Sequence, residues 1–163
     1  MRNLGIAILC MAACCCVRAD PATPINALST VSDYSRAVMT ADCRTISRLS
    51  GVIARHPEGR EPLCQAYADW NRLGLIERLR EPILSLSSQN DRLVVIPNSR
   101  IGLLNGKPQI ANGVYVAYSN DNGAQWKVID VACDNLKDWI KGVYPAYKGP
   151  AFSASVDFPK NTH

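Results

Sequence analysis

Ser119-Asn120-Asp121-Asn122-Gly123-Ala124-Gln125-Trp126 fits the pattern S-x-D-x-G-x-x-W at every specified position, and it falls where two apolar runs, Val114 to Tyr118 and Gln125 to Val131, meet. A serine and an aspartate two residues apart can bond backbone groups across a tight loop, glycine supplies a positive φ, and tryptophan anchors the returning strand. The stretch therefore predicts a β-hairpin. Its neighbours share the texture: Ile83 to Ser87, Leu93 to Ile96 and Arg100 to Leu104 are short runs separated by Gln89-Asn90-Asp91, Pro97-Asn98 and Asn105-Gly106. Asn-Gly is a strong two-residue hairpin signal, and strands this close in sequence favour an antiparallel meander of about five strands.

Upstream the period changes. From Ser32 to about Arg55, residues Tyr34, Val38, Ile46, Leu49, Val52 and Ile53 recur at three- and four-residue spacings, with Ser32 as N-cap and His56-Pro57 as a stop. A second helix is expected from Pro62, with Leu63, Ala66, Tyr67, Trp70 and Leu73 along one stripe, interrupted at Gly74 and continuing over Leu75 to Arg80. Downstream, Asp134 can cap a short helix whose Leu136, Trp139, Ile140 and Val143 fall at i, i+3, i+4 and i+7. The fold class that follows is α+β: N-terminal helices packed on a curved antiparallel sheet, with a short C-terminal helix.

Residues 1–19 read as an export signal, with Arg2, an apolar run from Leu4 to Ala13, and small residues at Val17 and Ala19. Two other readings stay open: lipidation at Cys14, which follows Met11-Ala12-Ala13, and an uncleaved anchor. The apolar run is short for a transmembrane helix. Removing 19 of the 163 residues leaves 144, enough for one core: a lead-in over 20–31, a single domain over 32–150 and an irregular tail over 151–163. The net charge of +4 falls to +2 without Arg2 and Arg18, too mild to argue for nucleic acid, and no basic run with interleaved aromatics appears.

Four of the seven cysteines (Cys10, Cys14, Cys15, Cys16) lie in the leader. An oxidising compartment favours one disulfide among Cys43, Cys64 and Cys133. Three pairings are open, with Cys43 to Cys64 the first choice because both flank the apolar faces of their helices; three reduced, buried thiols are the alternative.

The octapeptide resembles the Asp-box, which recurs in sialidase-type propellers and in unrelated secreted proteins, on the outside of a sheet and away from active sites. The resemblance implies hairpin geometry, carried by Ser119, Asp121, Gly123 and Trp126, and no catalytic role. One such motif in so short a chain argues against a multi-bladed propeller. The element order from 32 to 143 is similar to the cystatin-like, or nuclear-transport-factor-like, cone fold. The segment from Val114 through Tyr144-Pro145 is also similar to small uncharacterised bacterial exported proteins. The resemblance implies a cone that often holds a pocket.

Asp130 is the leading candidate site residue. Trp126, Val128 and Asp130 share one strand face, so if that face is the interior a carboxylate enters a pocket, where desolvation would raise its pKa and suit it to acid or base work; the plainer reading is a strand-end aspartate bonded to a backbone amide. His56, near Glu58 and Glu61, reads as a solvated loop residue rather than a proton shuttle or metal ligand, and His163 is the last residue. No histidine or cysteine spacing supports zinc, and Asn120, Asp121 and Asn122 gather too few carboxylates for calcium. Cys133 lacks the context of a nucleophile, Ser87-Ser88 lacks the G-x-S-x-G elbow, and Gly102, Gly106 and Gly113 read as turn residues. Tyr67, Trp70 and Trp139 read as core, with a pocket lining as the rival; Tyr144 and Tyr147 suggest a partner-binding edge. No cofactor is expected. The function expected is a periplasmic or secreted, non-enzymatic domain that binds a protein or small ligand, an inhibitor or partner-binding envelope protein being one form of it; the alternative is a small hydrolase or isomerase using a pocket carboxylate.

Overall fold

The computed structural model describes residues 25–88, 90–104, 107–131 and 136–145. The expected export signal with Cys14, the turn expected at Asn105-Gly106, Cys133, the cap expected at Asp134, Tyr147 and residues 151–163 lie outside those residues. Among the described residues no helix is long and apolar enough to cross a membrane.

The chain is α+β. Four helices, α1 (Ile25–Thr40), α2 (Cys43–Leu49), α3 (Gly51–Arg55) and α4 (Arg60–Asn71), precede five strands, and α5 (Leu136–Val143) follows them. The single helix expected over Ser32 to Arg55 is three, and the first begins at Ile25, ahead of Ser32. The breaks have local causes. Ala41 takes a left-handed φ of 53°, Asp42 then caps α2 by accepting from the Arg44 and Thr45 amides, and Ser50, in extended conformation, caps α3 by accepting from Ile53 N at 3.2 Å. After α4, Gly74 has a φ of 62° and turns the chain. The helical continuation expected over Leu75 to Arg80 is instead strand β1 (Ile76–Leu79).

The remaining strands are β2 (Leu84–Ser87), β3 (Arg92–Leu104), β4 (Lys107–Ser119) and β5 (Lys127–Val131), and every named pairing is antiparallel. Pro97-Asn98 was expected to end a strand, yet β3 runs straight through it. The reason lies at the edge of β3, where β2 covers Arg92 to Val95 and β1 covers Asn98 to Ile101. The Pro97 carbonyl faces that edge, accepting from Arg80 N at 3.0 Å, so its nitrogen faces the same gap between two partner strands and the ladder to β4 loses nothing. Gly102 and Gly113, expected in turns, likewise lie inside strands. A side chain at Gly102 would collide with Leu75, and one at Gly113 with Asn98.

Alternation puts Val94, Ile96, Tyr115, Ala117, Val128 and Trp126 against α1 to α4, and Leu93, Val95, Val114, Val116, Ile129 and Val131 against α5. The sheet is therefore buried on both faces over half its length. Tyr144 is buried in the second cluster, so it does not form the exposed edge suggested for it.

Cys43, the first residue of α2, is bonded to Cys64 of α4, with Cα atoms 5.4 Å apart. The bridge closes a loop with a sequence separation of 21, and by chain entropy it contributes about 3 kcal/mol. Replacing both cysteines by serine should lower unfolding free energy by about that much in urea titrations. Dithiothreitol should bring the wild type down to the same midpoint and leave the double variant unmoved; a wild type indifferent to reductant would contradict the assignment.

Candidate functional site

The octapeptide forms a closed hydrogen-bonded loop. Gly123 N donates to Ser119 Oγ at 2.9 Å, Gln125 N to Asp121 Oδ1 at 2.9 Å, and Ser119 Oγ lies 2.6 Å from Asp121 Oδ1. Gly123 has a φ of 89°, and the Trp126 indole donates to its carbonyl at 3.0 Å. Bonds from Ser119 and from the Gln125 amide hold the Asp121 carboxyl below its usual range. Asp121 Oδ1 accepts within the loop and Asn122 Oδ1 accepts from Arg92, so the calcium reading of Asn120, Asp121 and Asn122 gains nothing from this geometry.

Trp126 is buried at 6% exposure, and from it the inward face of β5 continues through Val128 to Asp130. Asp130 does not end on a backbone amide. Its Oδ2 accepts from Arg100 Nη2 at 2.7 Å and from the Tyr67 hydroxyl at 3.1 Å. Arg100, on β3, extends the set: its Nε donates to Glu77 Oε1 of β1 at 2.6 Å, and its Nη2 also reaches the Tyr115 hydroxyl of β4 at 2.6 Å. Tyr115 in turn donates to Glu77, and Ser35 of α1 donates to the second Glu77 oxygen. The Tyr34 and Tyr67 hydroxyls lie 3.2 Å apart. The guanidinium sits between two aromatic faces, 5.3 Å from the centroid of Trp70 and 5.4 Å from that of Tyr115.

This polar cluster is enclosed. Side-chain exposure is 8% for Arg100, 1% for Glu77 and 14% for Asp130. Burial pushes the Asp130 carboxyl above its ordinary value, and the neighbouring Arg100 opposes that shift. Burial also raises the Tyr34 phenol, to about 12, and it raises Tyr67 and Tyr115 as well, each beside the negative field of Asp130. The phenols are therefore hydrogen-bond donors at neutral pH and not bases.

Beside the cluster opens a cavity of about 340 Å³, lined from α4 by Leu63, Tyr67 and Trp70, and from the sheet by Asn98, Arg100 and Asp130. Trp70 and Arg100 also line an adjoining apolar groove of similar volume with Leu73, Leu103 and Ile110. Trp70, read from sequence as core, is 40% exposed and stands between the two; Tyr67 is buried, and Trp139 packs part-buried on the opposite side of the sheet. His56 is exposed and pairs with Glu58 at 3.3 Å. It does not line the cavity. Among the described residues no three of His, Cys, Asp and Glu gather to hold a metal.

Of the polar cluster, alternation along β5 points to Asp130, whereas Arg100, Glu77, Tyr115, Tyr34 and Asn98 carry no sequence signal that joins them to it. Glu77 was hidden by the helical reading of its segment. Arg100 and Asn98 were hidden by cutting β3 at Pro97; an uninterrupted strand places Val94, Ile96, Asn98 and Arg100 on one face by alternation alone. No protein-family profile, no curated protein and no solved structure matches the chain.

Proposed function

We propose that the chain is an exported, non-enzymatic binding domain that takes a small ligand into the cavity beside Asp130. The observation that carries this reading is the convergence of polar groups on an otherwise apolar cavity of about 340 Å³, a size suited to a small molecule. The leader-like residues 1–19 and the Cys43–Cys64 disulfide support export. The helices packed over an antiparallel sheet support the cone-like architecture expected from element order.

A second reading, acid or base catalysis by Asp130, draws support from its upward-shifted carboxyl and the adjacent Tyr67 phenol. It is the weaker of the two, because Arg100 and Tyr67 both hold Oδ2 and no nucleophile joins them among the described residues.

Ala66 is exposed at the cavity wall, so Ala66→Trp should fill the cavity without disturbing the core. Small-molecule libraries screened by thermal shift should yield compounds that stabilise the wild type, by about 2.7 kcal/mol at 100 times their Kd. The same compounds should leave Ala66→Trp unshifted. Equal stabilisation of both proteins would defeat the cavity as the binding place. Turnover of a bound compound that is lost in Asp130→Asn, with binding retained, would favour the catalytic reading instead.

A further inference from the structure

Asn98 stands apart from every other polar side chain of the site. It is fully buried on β3, it lines the cavity, and neither Oδ1 nor Nδ2 has a hydrogen-bond partner. A buried amide left unbonded costs stability, and such groups call for a reason. Its cross-strand neighbour supplies a direction. Asn98 is paired with Gly113 of β4, which lines the same cavity, and a Cβ on Gly113 would lie 2.9 Å from Asn98 Oδ1. The missing side chain lets the Asn98 amide lie against the Gly113 backbone, where both residues form the wall of the cavity. The adjacent charges are already matched to one another, since Arg100 bridges Glu77 and Asp130. A charged ligand group placed there would disturb that pairing.

The geometry points to Asn98 as the specificity residue of the cavity, reading an uncharged carboxamide group whose N–H and C=O pair with the Asn98 oxygen and nitrogen. A side-chain amide offers one acceptor and two donors in a plane, and a second carboxamide is complementary to it edge to edge. The apolar remainder of the ligand would lie against Leu63 and Trp70. This deepens the small-ligand reading above and rests on it.

Benzamide and methyl benzoate separate the two claims, because both carry an acceptor and a ring but the ester lacks the N–H. Each is titrated into isotope-labelled protein, purified from expression of the full 163-residue chain and followed by amide chemical shifts. Benzamide should bind at least about tenfold tighter than the ester, because a buried polar group left unpaired penalises the wrong ligand. In Asn98→Leu that preference should fall to about one while the melting temperature holds or rises, the unbonded amide having been removed. If Asn98→Leu does not fold, Gly113→Ala serves instead: the new Cβ obstructs the amide, and the preference should again vanish. Equal binding of both compounds by the wild type, or a preference that survives both variants, would overturn the assignment of Asn98 and leave the cavity-binding reading standing. If neither compound shifts resonances at the cavity, the small-ligand reading fails and this inference with it.

Discussion

Arg100→Met should be among the most destabilising single substitutions in the chain, lowering unfolding free energy by about 3–5 kcal/mol and the melting temperature by on the order of 10 °C. Methionine keeps the length and apolar stem of arginine, so little packing is lost between Trp70 and Tyr115. What disappears is the cation that Glu77 and Asp130 share at 2.6 and 2.7 Å. Glu77 and Asp130 would be left as carboxylates in a nearly dry site. Removing one partner of a buried ion pair costs more than the pair contributes, because the remaining charge stays desolvated. Neutralising all three, as Glu77→Gln, Arg100→Met and Asp130→Asn together, should therefore recover part of the loss. A single variant within 1 kcal/mol of wild type in urea titrations would mean that the cluster is solvated.

The pH dependence adds a signed test. Asp130 is raised in the folded protein by burial, with Arg100 holding it down, so losing Arg100 raises it further. A carboxyl whose folded value exceeds its unfolded one binds its proton more tightly when folded. Its contribution to stability is full below the unfolded value of 3.8 and is lost as pH rises through the raised folded value. The deficit of Arg100→Met relative to wild type should thus shrink as pH falls from 7 toward 5. A deficit that widened over the same interval would place the destabilisation elsewhere.

Periodicity made some of this architecture readable in advance and concealed the rest for identifiable reasons. The inward face of β5 was legible because Trp126, Val128 and Asp130 alternate against Ile129 and Val131, and strand period is insensitive to what the face packs on. The helix pair bridged by Cys43 and Cys64 was legible because both residues flank an apolar stripe. Leu93 to Ile96, in contrast, is apolar on both faces, since one meets the helices and the other α5. Such a run carries no alternation, so nothing in it says which residues beyond Pro97 continue toward the site. The proline then imitated a strand end, although its missing donor falls where two short strands meet on one edge. Glu77 was lost for another reason: Leu75 to Arg80 is too short for period to separate helix from strand, and the pairing of Ile76 to Leu79 with β3 decides it. The polar cluster is thus assembled by pairings distant in sequence, and local pattern offers only Asp130 as a candidate for chemistry, with Tyr67 placed beside it as an apolar-stripe residue.

Trp126→Ala should cost about 3–5 kcal/mol, the usual range for truncating a buried aromatic to alanine. The indole joins two structures. Its ring packs in the core cluster shared with Tyr34, Ile96, Tyr115 and Val128, and its nitrogen donates to the Gly123 carbonyl of its own turn at 3.0 Å. Trp126→Phe keeps most of the buried ring and loses only that bond, so it should cost about 1 kcal/mol plus a smaller packing term. The difference between the two variants in chemical denaturation measures how much of the anchoring comes from burial. If core burial dominates, the phenylalanine variant stays much nearer wild type than the alanine variant, and its turn amides at Gly123 and Gln125 keep their protection from hydrogen exchange. Equal costs for the two would assign the anchor to the indole bond, and the octapeptide would then owe its place against the helices to a contact within the turn rather than to the core beneath it.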